Sequence, residues 1–270
     1  MRAWLHRLRR LGRRSPTKIG EALWQQTLDA LPFLAQRPAA ELNRLRSLCE
    51  DFLACKEFYG AQGLRIHDPM ALVVAAQACL PLLNLEPTQQ VLDWYDDFVT
   101  IVIHPDEVLA RREQIDELGV VHQYEEVLAG EAMAGGPVML NWRDVASSAH
   151  TAAQGYNLVI HEFLHKLDLR DGVPDGCPPL PSGFLGSGSI NEARQQWLGL
   201  MQSEFETFRE RVIRAERFGQ PAPWLDAYGA SSMDEFFAVT GEAYFVNRAR
   251  FASEFPKLLG LYDAFFSPRT

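Results

Sequence analysis

The part of this sequence best suited to chemistry is a pair of histidines with a glutamate between them. His161, Glu162 and His165 form the pattern H-E-x-x-H within the apolar run Asn157–Asp168. Residues four apart lie one turn apart on a helix, so both imidazoles can reach one ion while the carboxylate projects beside them. The pattern predicts half of a zinc hydrolase site. The alternative is two histidines packed in a core.

A catalytic zinc ion needs a third protein ligand. In the extended pattern H-E-x-x-H-x-x-G-x-x-H, a glycine turns the chain back towards the third ligand. Here Asp168 occupies the glycine position and Asp171 the third-ligand position, which makes Asp171 a poor candidate. A better source is the segment Tyr228–Glu242, which is predicted to be a loop that enters a second helix.

Glu235 lies where the first turn of that second helix is expected, and from there a carboxylate can reach the metal helix. Asp234 and Glu242 are less favoured candidates. Ser232 and Glu235 also form the capping box S-x-x-E, so a role for Glu235 in helix capping alone is an equal alternative.

Three further roles follow if zinc is bound. Zinc activates water for attack on a peptide carbonyl, and Glu162 would accept the proton as general base. The phenol of Tyr228 could stabilise the oxyanion, although a half-buried tyrosine without such a role is the simpler alternative. Asp168 could orient an imidazole as a hydrogen-bond acceptor, or pair with a nearby lysine or arginine.

Composition limits the class of protein. The chain has 270 residues, 47% hydrophobic and 23% charged, which suits one globular domain or at most two. A net charge of −9 argues against a nucleic-acid-binding protein. The exception is the N-terminal segment, which is rich in arginine. We interpret it as a frayed terminus in preference to an amphipathic helix that rests on anionic lipid. Its arginines are Arg2, Arg7, Arg9, Arg10, Arg13 and Arg14.

No apolar run of 7–15 residues follows the basic start, as a secretory signal requires, and no stretch approaches the length of a membrane span. The four cysteines lack a C-x-x-C pair, which favours buried free thiols in a reducing compartment. We therefore expect a cytoplasmic protein.

Apolar periodicity predicts a mainly helical chain with a small sheet, an α+β fold. The glycine- and proline-rich residues 171–189 are predicted to be a long loop, either a lid or a connector. We expect a basic N-terminal arm over residues 1–38 and a single domain over residues 39–270.

The other predicted helices are Glu21–Leu31, Ala39–Phe58, Met70–Leu83 with Asp68 as its cap, and Asn191–Phe218. The stripe of Met and aromatic residues on the last of these helices is expected to be part of the core. The predicted strands are Phe98–Ile103, Val120–Val127 and Pro137–Trp142.

Five segments resemble a known family over about residues 42–265. They are Leu80–Leu82, Pro137–Trp142, Asn157–Asp168, Asp226–Tyr228 and Glu235–Val239. The family is that of the zinc-dependent peptidases typified by Mlc titration factor A, whose catalytic core resembles the protease domain of anthrax lethal factor. The resemblance implies a zincin-like metallopeptidase with a small mixed sheet and an H-E-x-x-H active-site helix.

The resemblance also implies roles for individual residues. His161, His165 and Glu235 would bind one zinc ion per chain, Glu162 would be the base, and Tyr228 would assist the oxyanion. Aminopeptidase-like action on a peptide or protein substrate is implied, together with a transcriptional repressor as a partner. The second functional hypothesis is therefore a regulatory protein that sequesters a repressor, with a structural or secondary zinc site.

Overall fold

The computed structural model describes residues 18–85, 88–106, 108–115, 121–128, 130–132 and 135–267. The predictions for the basic start before residue 18 and for Val120 lie outside these residues. The α-helices of the described residues are α1 (Glu21–Ala30), α2 (Pro32–Ala35), α3 (Ala39–Cys55), α4 (Asp68–Cys79), α5 (Trp142–Thr151), α6 (Leu158–Asp168), α7 (Ile190–Phe218), α8 (Met233–Val246), α9 (Arg248–Glu254) and α10 (Pro256–Phe266). The strands are β1 (Glu57–Gly60), β2 (Thr100–His104), β3 (Val108–Ile115), β4 (Val121–Leu128), β5 (Gly130–Ala132) and β6 (Val138–Asn141). The fold is mainly helical with a small sheet, as the α+β prediction requires.

The main sheet has the strand order β1-β2-β6-β5. The first three strands are parallel, and β5 pairs antiparallel with β6, so the sheet is mixed. Ile101 and Ile103 of β2, and Val138 and Leu140 of β6, are buried, which is why these two strands form its centre. Strands β1 and β5 are left as the two edges. Strands β3 and β4 form a separate antiparallel pair.

Helix α6 carries the H-E-x-x-H pattern and lies in the centre of the fold. Asn157 is its N-cap, and the side-chain Oδ1 accepts a hydrogen bond from the Ile160 amide at 2.9 Å. The helix packs against α8, α4 and β5. Every α6 residue except His165 is buried, so the helix is fixed on all sides.

An aromatic core joins α7, α8 and α10 behind the metal helix. Trp197 stacks on Tyr262 with ring centroids 5.9 Å apart, and Phe237 packs edge-on against both rings. The Trp197 indole N–H donates to the Gly176 carbonyl at 2.7 Å, which attaches the 171–189 segment to α7. The α7 stripe that the sequence predicts as core is buried throughout: Trp197, Met201, Phe205, Phe208 and Val212.

Several boundaries differ from the predictions. Helix α3 ends at Cys55, and not at Phe58, because the next residues pair with β2 as strand β1. Asp68 lies inside α4, where His67 is the N-cap and no side chain caps the helix. Helices α1 and α2 bury Trp24 and Leu34 in the same core as the rest of the chain. No helix of the described residues is long and apolar enough to cross a membrane.

Candidate metal centre

Three side chains from two helices converge on one point. His161 and His165 come from α6, and Glu235 comes from the first turn of α8. Glu235 Oε2 lies 3.1 Å from His161 Nε2 and 3.4 Å from His165 Nε2, and the two Nε2 atoms are 3.1 Å apart. The sequence-predicted ligand set is therefore assembled around one common centre.

These distances are close to those around a tetrahedral metal ion, and two of them are slightly shorter. Bonds of about 2.0–2.2 Å to zinc place the ligand atoms of a tetrahedron about 3.3–3.6 Å apart. Glu235 Oε2 is also a buried acceptor without a hydrogen-bond partner among the described residues. A buried carboxylate oxygen of this kind needs a proton donor or a cation beside it. The donor set, two imidazoles and a carboxylate, fits a divalent ion such as zinc.

The electrostatics of Glu235 agree with this geometry. Burial raises the pKa of the Glu235 carboxyl, but the imidazoles of His161 and His165 outweigh burial and hold that pKa well below its usual range. The Glu235 carboxylate is therefore charged, as a metal ligand must be. The Glu235 amide donates a hydrogen bond to the Ser232 hydroxyl oxygen at 3.5 Å, so the residue takes part in capping through its backbone while its side chain faces the histidines.

Glu242, a less favoured ligand candidate from the sequence, lies outside the group of possible metal ligands and contacts one of the two histidines. Its Oε1 accepts a hydrogen bond from His161 Nδ1 at 2.7 Å, on the side of the ring away from Glu235. Its Oε2 accepts a hydrogen bond from the backbone amide of Asn157. Asn157 Nδ2 in turn donates to Gln77 Oε1 of α4 at 2.6 Å. Glu242 thus holds the first imidazole through a buried chain of hydrogen bonds that reaches the core helix.

The same carboxylates act on the charge of His161. Burial lowers the pKa of the His161 imidazole, but Glu242 and Glu235 raise it well above its usual range. Burial raises the pKa of the Glu242 carboxyl, against the opposing effect of His161. The buried groups therefore form a coupled ionic cluster in which each stabilises the charge of the next.

Glu162 lies beside this cluster and is 4% exposed. Burial raises the pKa of its carboxyl to about 7, although the two histidines lower it. A carboxyl with a pKa near neutrality is suited to accept a proton and release it again.

Tyr228 lies at the open side of the cluster. Its ring centroid is 6.4 Å from that of His161, and the residue is 50% exposed. Asp226 Oδ1 accepts the Tyr228 amide at 2.9 Å, which fixes the short turn Ala227–Ala230 that carries the phenol. The structure therefore brings Tyr228 next to the candidate centre, with its side chain accessible to a ligand.

The remaining sequence candidates lie elsewhere. Asp168 does not orient an imidazole: its Oδ2 accepts the Gly176 amide at 2.9 Å, and its Oδ1 has no hydrogen-bond partner among the described residues. Burial raises the Asp168 pKa to about 7. Asp171 accepts from Val173 N and pairs with Arg194, outside the cluster. Asp234 is likewise outside the group of three possible metal ligands.

Comparison with known proteins defines the class. The chain belongs to the family described as glucose-regulated metallo-peptidase M90, whose family model matches residues 3–267. It is similar to Mlc titration factor A of Salmonella arizonae, with 32% identity over 251 residues, 93% of this chain and 92% of the relative. Mlc titration factor A of Escherichia coli is 32% identical over 244 residues, 90% of this chain and 84% of the relative. The resemblance seen in the sequence is thereby confirmed.

Proposed function

We propose that this chain is a cytoplasmic zinc-dependent peptidase with a zincin-like active site and aminopeptidase-like action. The observation that carries the proposal is the convergence of His161, His165 and Glu235 at 3.1–3.4 Å beside the buried carboxyl of Glu162. Membership in a metallopeptidase family supports it. The metallopeptidase domain would extend over residues 39–270, with helices α1 and α2 of the basic N-terminal arm packed into its core.

The chemistry that zinc supplies when bound is Lewis-acid activation of water and of the carbonyl oxygen. Glu162 accepts the proton of the attacking water at a carboxylate oxygen and delivers it to the leaving nitrogen. The Tyr228 phenol donates a hydrogen bond to the oxyanion that develops at the carbonyl. Glu242 keeps the His161 ring in place through Nδ1.

Peptide as the substrate is supported by the position of β5. This edge strand runs antiparallel to β6 and contacts α6. An extended peptide can add to such an edge through main-chain hydrogen bonds, which would place its carbonyl groups along the metal helix. The sequence does not predict β5, so this edge was not identified from the sequence.

Removing the metal tests the proposed activity. We expect chelator-treated protein to lose hydrolysis of a chromogenic amino acid amide, and one equivalent of Zn²⁺ to restore it. Because aminopeptidases require a free amine, the N-acetylated amide is expected to resist cleavage. Hydrolysis that survives complete metal removal would contradict a metallopeptidase, and equal cleavage of both amides would contradict aminopeptidase-like action.

A second function is supported by the name of the relatives, Mlc titration factor A. In this alternative the chain sequesters a repressor of the Mlc type, and the metal centre is structural or secondary. The two functions are separable, because binding would not require the Glu162 carboxylate.

A further inference from the structure

Strand β5 passes directly over the general-base candidate at Gly130, where the chain has no side chain. Gly130 pairs with Leu140 of β6. A Cβ atom added to Gly130 would lie 2.9 Å from Glu162 Cγ, 2.8 Å from Glu162 Cδ and closer still to Oε1. Contacts below 3.0 Å are not tolerated, so either the strand or the Glu162 side chain would have to move.

An ion pair with a fully buried lysine holds the residues that precede β6 on helix α6. Lys166, next to His165 on α6, donates from Nζ to Asp97 Oδ2 at 2.9 Å and to the Gly136 carbonyl at 3.2 Å. The Gly135 amide donates to the same Asp97 oxygen at 3.3 Å. The lysine side chain is 0% exposed, so breaking this pair would leave a buried charge without compensation. Gly135 and Gly136, which precede β6, are therefore tied to the helix that carries Glu162.

Gly130 differs from the other glycines at which an added Cβ would make close contacts, because the atoms that it would meet are of a different kind. A Cβ on Gly60 would meet the Leu64 backbone, and a Cβ on Gly241 would meet the Leu164 side chain of the core. At Gly130 the three nearest atoms all belong to Glu162, towards the end of a flexible side chain. A methyl group there would displace the carboxylate and leave the packing of the core unchanged.

We propose that Gly130 is a positioning residue for Glu162: the missing side chain leaves the space that the general-base carboxylate occupies. The inference rests on the proposed peptidase function for its kinetic consequence, but not for its structural one. A catalytic group displaced by about 1 Å can lose about 10²-fold in rate. Gly130 therefore controls the rate without contacting substrate or metal.

The kinetic test is Gly130→Ala on a chromogenic amide that the wild-type protein cleaves. We expect kcat to fall about 10–100-fold, with KM, the zinc content and Tm close to wild type. Gly199→Ala in α7 is the matched control, because an added Cβ there meets no atom within 4 Å. An unchanged kcat would overturn the proposal. So would a parallel loss of zinc or of Tm, since either would mark Gly130 as a structural residue.

Two further measurements separate this inference from the proposed function. A crystal structure of the metal-free Gly130→Ala protein should show the Glu162 carboxylate moved by on the order of 1 Å, whether or not the chain is a peptidase. An unmoved carboxylate contradicts the proposal. In the Glu162→Ala background, which removes the three atoms that the methyl group would meet, Gly130→Ala should lower the residual rate by less than about threefold. An equal loss in both backgrounds would also contradict it.

Discussion

Replacement of Glu162 by glutamine is expected to lower peptide hydrolysis by about 10²–10⁴-fold, the usual contribution of a general base, while zinc stays bound. Glutamine has nearly the same shape and leaves His161, His165 and Glu235 in place, but its amide cannot accept the proton. The loss should therefore fall on kcat. Steady-state kinetics and elemental analysis of the same preparation measure both parts.

The ionisation of Glu162 also predicts the direction in which kcat of the wild-type protein changes with pH. Glu162 must be ionised to act as a base, and burial raises its pKa to about 7. A bound cation favours the ionised form, so the acidic limb of kcat should lie at or below pH 7, with the rate falling as pH falls. The residual rate of Glu162→Gln should lack this limb.

Glu206→Gln, on the exposed side of α7, makes the same chemical change away from the site and should leave kcat unchanged. Full turnover by Glu162→Gln would contradict the assigned base. If the chain also sequesters a repressor, Glu162→Gln should bind it with the wild-type affinity. Loss of repressor binding in this variant would contradict the separation of the two functions.

Glu242→Ala is expected to weaken zinc binding about 10–100-fold, the usual cost of removing a partner that orients a ligating histidine. The Glu242 carboxylate accepts hydrogen bonds from both His161 Nδ1 and the Asn157 amide, and the residue is 1% exposed. Its loss frees the imidazole to rotate and leaves a buried amide unpaired, which costs about 1–3 kcal/mol of folding stability. Competition with a chromophoric chelator gives the affinity, and Tm gives the stability.

Two further variants keep this prediction testable if the alanine protein does not fold. Glu242→Gln preserves the volume and one acceptor but removes the charge, so it should bind zinc with intermediate affinity. Asp234→Ala removes a carboxylate of the same helix that lies outside the metal cluster, and it should bind zinc like the wild type. Unchanged zinc affinity in both Glu242 variants would mean that the hydrogen bond to His161 does not support the site.

The long helices could be predicted from the sequence, whereas helices α2, α5, α9 and α10 and strands β1, β3 and β5 were not predicted. Apolar periodicity places α6 and α7 within one or two residues of their bounds, because each has a long amphipathic or apolar pattern. The predicted helix takes in Glu57 and Phe58, the first half of β1, because Phe58 continues its apolar spacing. The three residues of β5 are too few to show an alternating pattern, and only pairing with β6 makes them a strand.

Some residues of the candidate site could likewise be predicted from the sequence and others could not. Helical spacing alone predicts His161 and His165 as ligands. The place of Glu235 at a helix start is equally compatible with a capping role, and only the family resemblance favours it as the third ligand. The role of Glu242 was missed because its partner lies 81 positions earlier in the chain. One signal was available: Glu242 is the only carboxylate within the otherwise apolar stretch after Glu235, and a buried carboxylate requires a partner. Gly130 carried no such signal, because its contact depends on how β5 lies over α6.

The most direct test of the central claim is the zinc content of the purified protein, measured by elemental analysis together with that of Glu235→Ala. We predict close to one zinc ion per wild-type chain and a large loss in the variant, because two imidazoles without the carboxylate form an incomplete site. No zinc in the wild-type protein, even after reconstitution with Zn²⁺, would contradict the metal centre. Full occupancy in Glu235→Ala would contradict Glu235 as its third ligand.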